Sequence, residues 1–384
     1  MRVHTRHHLQ GRGWNEGLPL EEDGPSTLVL AFAAPGLLDD PAPLRDLAAA
    51  FPRSVVLGCS TSGEIAGDQV HDASISVAVA RFGHTGVRCM STPVAGAADS
   101  FAAGVRLGAG LVAPEGGLRL RAVFLLSDGL AVNGTPLVAG LASVLPPGTS
   151  ITGGLAGDGA DFRRTWVMAD GAPRPGHICA VGLYGDRLRI GHGCDAGWSP
   201  FGPQRRITRC AGNVLYELDG RPALDLYKAY LGERARELPG AALLFPLAVR
   251  RDEADIEPLV RTILAVDEQQ HSMTFAGDLP EGGLAQLMRA NTDKLIDSAG
   301  EAAREAAAAL APDAPTLVIS VSCVGRRLVL GQRADEEVET VRDSAPAGAA
   351  HVGFYSYGEI APTLRGGASE LHNQTMTVTM LSEA

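Results

Sequence analysis

Three stretches of the chain carry the same order of apolar and polar positions. The first runs "TLVLAFAAP" (27–35), a helical stretch at 43–51, "SVVLGCSTSGEI" (54–65) and "ASISVAVARF" (73–82). The second runs "AVFLLSDGL" (122–130), a helical stretch at 135–145, "SITGGLAGDG" (150–159) and "HICAVGLYG" (177–185). The third runs "TLVISVSCVG" (316–325), an acidic helical stretch at 334–343, "AHVGFYSYGEI" (350–360) and "NQTMTVTML" (373–381). Each predicts strand, helix, strand, glycine-flanked polar turn, strand. Leu28 and Gly58 stand 30 residues apart, as do Val123 and Gly153, while Leu317 and Gly353 stand 36 apart. The turn Ser62-Gly63-Glu64-Ile65 returns as Tyr357-Gly358-Glu359-Ile360, and Ala156-Gly157-Asp158 stands there in the second stretch. Short βαβ segments resemble one another by chance, but the shared Gly-Glu-Ile favours an internal repeat. The first two strands of each unit are near-continuous apolar runs, as expected of parallel strands joined by a crossover helix and buried on both faces.

The pattern changes after the second unit. "RRITRCAGNVLYELDG" (205–220) alternates and turns at Gly212-Asn213 and Asp219-Gly220, which predicts antiparallel hairpins. "RPALDLYKAYLGERARE" (221–237) predicts an amphipathic helix with Pro222 near its start. "ALLFPLAV", "VRTILAVDEQQ" and "SMTFAGDLPEG" predict further strands, and residues 283–310, ending in an Ala-rich run, predict one long helix. The expected fold class is α/β: two domains built on repeated β-α-β-β units with parallel-centred mixed sheets. Residues 1–25 are expected as a weakly ordered lead-in, 26–225 as an N-terminal domain and 226–384 as a C-terminal domain around the third unit.

Composition narrows the function. A chain of 384 residues with 45% hydrophobic residues has material for more than one core. The formal charge of −11 argues against nucleic acid or an anionic membrane surface as the main partner. The six cysteines form no CxxC pair, which suggests free thiols in a reducing cytoplasm. Met1 to about residue 25 contains no apolar h-region of a secretory signal. Residues 129–157 are uncharged, yet Pro146-Pro147 and Gly153-Gly154 would break a membrane-spanning helix. The reading is a cytoplasmic protein without membrane insertion. No Walker loop, no strand-linked GxGxxG and no CxxCH haem attachment is present, and no His/Cys spacing matches a closed zinc site.

Taken together, "GCSTSGEI", "GGLAGDG", "GWSPFGP", "NVLYELDGRPALDLYKAYLG", "FPLAV", "ILAVDE", "GDLPEGG", "SCVGR", "GFYSYGEIAP" and "ELHNQTMTV" resemble, in this order, the FIST family of bacterial sensory proteins. The resemblance runs from about Leu28 to Leu381. It implies an N-terminal and a C-terminal FIST domain and a small-ligand sensor in signal transduction, with amino acids suggested as ligands. Some members resemble haem-binding nitric-oxide sensors that act on a separate histidine kinase or cyclic-nucleotide enzyme. Many members carry a fused output domain. The pattern here ends within a few residues of the C-terminus, so a separate partner is expected to carry the output.

The candidate ligand groups are three. The first turn offers Cys59, Ser60, Thr61, Ser62 and Glu64. It is one residue too long for the G-x-S-x-G nucleophile elbow, and Cys59 aligns with Gly154 and Phe354, so the shared requirement is glycine rather than a nucleophile. A non-enzymatic sensor is therefore the expectation, with a Cys59- or Ser-dependent hydrolase as the alternative. Such turns at the carboxyl ends of parallel strands border the usual ligand crevice, where Gly154 and Asp158 of the second unit belong too. Asp128 and Asn133 follow a buried strand and suit either a ligand or a turn and helix cap. The third group is Tyr357, Glu359, Glu370, His372 and Asn373, expected to converge on one turn, whose carboxylate, imidazole and amide suit an amino-acid-like ligand. His372 is also the candidate axial ligand if haem binds. The alternative is a polar network that only holds the turn, with His372 bonded to Glu370 or Glu359. His177, His192, His271 and His351 are read as surface or packed histidines.

Overall fold

A computed structural model describes residues 1–113, 117–238, 240–255, 258–363 and 367–384. All three repeats form as expected, with mixed sheets centred on parallel pairs. In the first, strand Thr27–Ala33 runs parallel to Val55–Ser60 through helix Ala42–Ala50, and Ser74–Arg81 lies antiparallel on its other side. In the second, Leu120–Ser127 and Ser150–Leu155 flank helix Gly134–Ala142, with His177–Tyr184 antiparallel. In the third, Leu317–Cys323 and Ala350–Ser356 are joined through helices Val324–Leu330 and Ala334–Ser344, with Met376–Glu383 antiparallel.

The central strands are buried end to end, and alternation assigns their two faces. Val29, Ala31 and Ala33 pack outward with Leu44, Leu47 and Phe51 of the first crossover segment. Leu28, Leu30 and Phe32 point the other way, into a core shared with Phe124 and Leu126 of the second unit and Ile319, Val321 and Phe354 of the third. The Phe32 and Phe354 rings stack there at 4.7 Å. The three sheets thus face a common centre.

The strand that follows each polar turn forms a hairpin within its own unit and pairs on its other side with a different unit. Glu64–Ala66 pairs with Ala350–Ser356 of the third unit, Gly358–Pro362 with Ser150–Leu155 of the second, and Val167–Ala169 with Val55–Ser60 of the first. The donation is cyclic and closes the ring. It also explains the repeated glycine. A Cβ at Gly58, Gly153 or Gly353 would lie 2.3, 1.9 or 2.1 Å from a carbonyl oxygen of the neighbouring central strand (Ala31, Leu125 and Ser320). The shared glycine is needed for close backbone approach.

Two expectations fail. Residues 2–9, placed in the weakly ordered lead-in, form strand Arg2–Leu9, paired along its whole length with Ser74–Arg81. Its arginines and histidines mask a strand that is partly buried along nearly its whole length, next to the sheet's edge. Residues 283–310 do not form one helix. Leu284–Arg289 is a strand between Leu247–Arg250 and Ser199–Ala211, and the helix begins at Thr292. Pairing on both sides overrides the helix propensity of Ala-Gln-Leu-Met. Asn291 caps the helix, accepting from the Asp293 and Lys294 N–H groups at 3.0 and 3.2 Å. The remaining strands, 199–289, form an eight-stranded antiparallel sheet packed on helix Ala223–Leu231.

Candidate functional site

The residues of the first turn divide by role. Cys59 is fully buried in the central core, and burial pushes its thiol well above the ordinary range, so it stays protonated. A nucleophilic role for Cys59 has no support in this geometry. Ser60 holds the donated strand: its hydroxyl accepts the Trp166 N–H at 3.1 Å. Gly154 is also structural, since a Cβ there would lie 2.7 Å from Val321.

Thr61, Ser62 and Glu64 face a cavity of about 530 Å3. Its walls come from all three repeats: Thr61, Ser62, Glu64 and Ser74 from the first, Asp158 and Gly159 from the second, Arg327 from the third. Thr61 donates its hydroxyl to the Glu64 carboxylate, whose other oxygen accepts the Ser74 N–H at 3.0 Å and hydroxyl at 2.6 Å. Burial outweighs these bonds and pushes the Glu64 carboxyl up to about 7. Arg327 donates to the Ser62 carbonyl (2.6 Å) and bidentately to Asp72 (2.9 and 2.8 Å). Its Nε has no partner among the described residues. The Asp72 carboxyl is held below its ordinary value by Arg327. Gly63 lets the guanidinium lie against the turn: φ is +133°, and a Cβ would meet Arg327 Nη1 at 2.6 Å. Arg327, Asp72 and Ser74 were not candidates from sequence; the available signal was the Arg326-Arg327 doublet in the first turn of the helix that follows a buried strand.

The second unit's Asp158 accepts the N–H groups of Phe162, Arg163 and Arg164 at 3.0, 2.8 and 2.8 Å and the hydroxyl of Tyr357, whose ring stacks on Phe162 at 4.6 Å. Asp128 accepts from Leu130, Ala131 and Gly176 N–H groups, and Asn133 caps helix Gly134–Ala142 while its amide donates to Asp278 at 2.9 Å. These are turn and cap roles.

The C-terminal group does not converge on one point. Glu359 and His372 are cross-strand partners, but their side chains bond elsewhere. Glu359 takes the Ser356 hydroxyl (2.6 Å) and the Thr375 N–H and hydroxyl (3.1 and 2.9 Å), repeating the Thr61–Glu64–Ser74 arrangement of the first unit. His372 lies 3.1 Å through Nε2 from the Ala361 carbonyl, and Glu370 is ion-paired with Arg251. Asn373 is fully buried, with neither amide atom bonded among the described residues. His372 lines a second cavity, about 460 Å3, with Trp198, Asp195 and Thr375. Glu370 lines a third. The single crevice expected from sequence is thus divided.

That arrangement fits haem poorly. The Nε2 of His372 is engaged by a main-chain carbonyl, and among the charged residues lining the cavity Asp195, Asp297 and Glu301 outnumber Lys294, a poor setting for a dianionic group. Among the described residues no helix is long and apolar enough to cross a membrane.

Comparison with known proteins agrees with the repeats. Residues 27–221 match the FIST N domain and residues 223–362 the FIST C domain. An uncharacterised protein of Mycobacterium tuberculosis (strain ATCC 25618 / H37Rv) is 27% identical over 243 residues, 61% of this chain and 61% of that protein. An uncharacterised protein of Methanocaldococcus jannaschii is 26% identical over 163 residues, 38% of this chain and 31% of that one. The chain thus spans under two thirds of the length of these relatives. Among solved structures, PurLQS of Thermotoga maritima aligns at 10% identity over 94% of this chain and 67% of that one, with a TM-score of 0.17, too low to indicate a shared fold. With FIST N and FIST C domains in tandem along most of its length, the chain belongs to the FIST family, whose domains are classed as sensory domains of signal transduction.

Proposed function

We propose that the protein senses a small zwitterion, a free amino acid, in the cavity beside the first turn. The observation that carries this reading is a cavity walled by all three repeats in which a guanidinium faces a buried carboxyl poised near neutrality. In this reading the ligand carboxylate pairs with Arg327 Nε and the ligand ammonium with Glu64. A carboxylate has about four acceptor sites, and Thr61 and Ser74 occupy three of those on Glu64, so one remains for the ammonium. The ammonium favours ionised Glu64, so binding below pH 7 releases a proton and affinity rises as pH rises through 7. A ligand held by all three units favours the closed arrangement of the ring. A signalling protein such as a histidine kinase or a cyclic-nucleotide enzyme would read that shift. The cavity binds without turnover in this account.

A thermal-shift screen of the twenty amino acids tests it. A ligand at 100-fold its Kd stabilises by about 2.7 kcal/mol, enough for a shift of several degrees. One or a few amino acids are expected to raise Tm, with the shift lost in Arg327→Gln. No shift from any amino acid, or an equal shift in the variant, refutes the assignment. A Soret band on adding haem that disappears in His372→Ala would favour haem instead.

A further inference from the structure

The third cavity, about 410 Å3, lies between helix Gly134–Ala142 and strands Leu259–Arg261 and Ser369–His372. Val138, Val249, Leu259 and Leu279 give it apolar walls. Arg261 also lines it and is only 2% exposed. Its Nε donates to the Asp278 carbonyl at 3.2 Å and its Nη1 to the Leu371 carbonyl at 2.9 Å. Among the described residues Nη2 has no partner and the guanidinium forms no ion pair. Arg326 shows the contrast: equally buried, it is paired with Glu337. A guanidinium removed from water with no hydrogen-bonded carboxylate is costly, and Glu370 and Asp278 offset only part of that cost from a distance while Arg251 adds to it. Burial lowers its pKa to about 10, so it remains a cation at neutral pH.

The neighbouring charges define what anion fits. Arg251 is already paired with Glu370, Asp278 accepts from Asn133, and Asp255 accepts the Arg251 N–H at 3.3 Å. Three carboxylates near one unpaired guanidinium disfavour a dianion such as phosphate. A single carboxylate matches the planar guanidinium fork, and a hydrocarbon body matches the walls. The volume lies within the range of small-molecule sites.

We propose that this cavity binds an apolar monocarboxylate, its carboxylate paired with Arg261 and its hydrocarbon part packed against Val138, Val249, Leu259 and Leu279. The site is separate from the zwitterion cavity and does not depend on that reading.

Isothermal titration of the full chain with octanoate tests it. Saturable one-site binding is expected, at least tenfold weaker for 1-octanol and for Arg261→Gln. Ala139→Phe, at an exposed helix position on the cavity wall, is expected to abolish binding while circular dichroism stays unchanged. This second variant keeps the test valid if Arg261→Gln unfolds. No saturable binding up to about 10 mM octanoate, equal binding of octanol, or undiminished binding by Ala139→Phe overturns the proposal.

Discussion

Replacing Glu359 by glutamine is expected to flatten a loss of stability that the native protein suffers as pH rises. Glu359 is fully buried, and burial pushes its carboxyl from an ordinary 4.5 up to about 8, against the opposing bonds from Ser356 and Thr375. The unfolded chain releases this proton near the ordinary value, whereas the native state keeps it. A raised native pKa therefore stabilises fully below about pH 4.5, and that contribution is lost as pH climbs through 8. At 1.36 kcal/mol per pKa unit, the loss between pH 5 and pH 8 is on the order of 4 kcal/mol. Glutamine keeps the shape and does not titrate. Urea unfolding of both proteins at pH 5, 6.5 and 8 gives the difference directly. The variant is expected to gain a few kcal/mol on the wild type across that range. His351 and His372, whose pKa values burial lowers to about 4, lose stability toward acid in both proteins and cancel in the difference. A difference that does not change between pH 5 and pH 8 refutes the reasoning.

Two further outcomes follow from burial. Arg326 and Glu337 form a fully buried ion pair, so Arg326→Met or Glu337→Leu alone is expected to cost roughly 3–5 kcal/mol in denaturant unfolding, and the two together clearly less than the sum. Additive costs would show that the two charges do not compensate each other. Cys59→Ala is expected to leave the thiol titre of the folded protein at pH 8 unchanged and to lower it by one in urea; a drop in the folded protein would place the thiol in reach of solvent.

The repeats were legible because glycine spacing and unbroken apolar runs are local signals. Gly58, Gly153 and Gly353 each answer to a neighbouring carbonyl, so the same steric demand left the same residue three times. The exchange of strands was not legible. Nothing local in Glu64-Ile65-Ala66 says that, beyond its hairpin with Gln69–His71, its other edge meets Val352–Phe354 of a different unit, since side-chain period specifies faces and not partners. The site divides the same way. Thr61, Ser62, Glu64 and Asp158 could be placed at a crevice from the turn alone, but Arg327 reaches them only through the ring closure. Glu370 and His372, two residues apart in one strand, share a face by alternation, yet neighbouring elements divide the space beside them and they line different cavities. Arg261 carried no sequence signal, because its lack of an ion pair arises only in the fold, where the nearby Glu370 is already paired with Arg251 and Asp278 with Asn133.

The cyclic lending of strands has a consequence for synthesis. The partner of Glu64–Ala66 lies about 290 residues downstream, and at about 5–20 residues per second the ribosome needs roughly 15–60 s to supply it. Until then the first unit holds a short hairpin, Glu64–Ala66 with Gln69–His71, whose other edge is unpaired, and an open apolar face, the kind of surface on which nascent chains aggregate and chaperones act. Ring closure is therefore a late event in the life of each molecule, and a chain arrested before residue 354 leaves the ribosome with its first two units still waiting for the third.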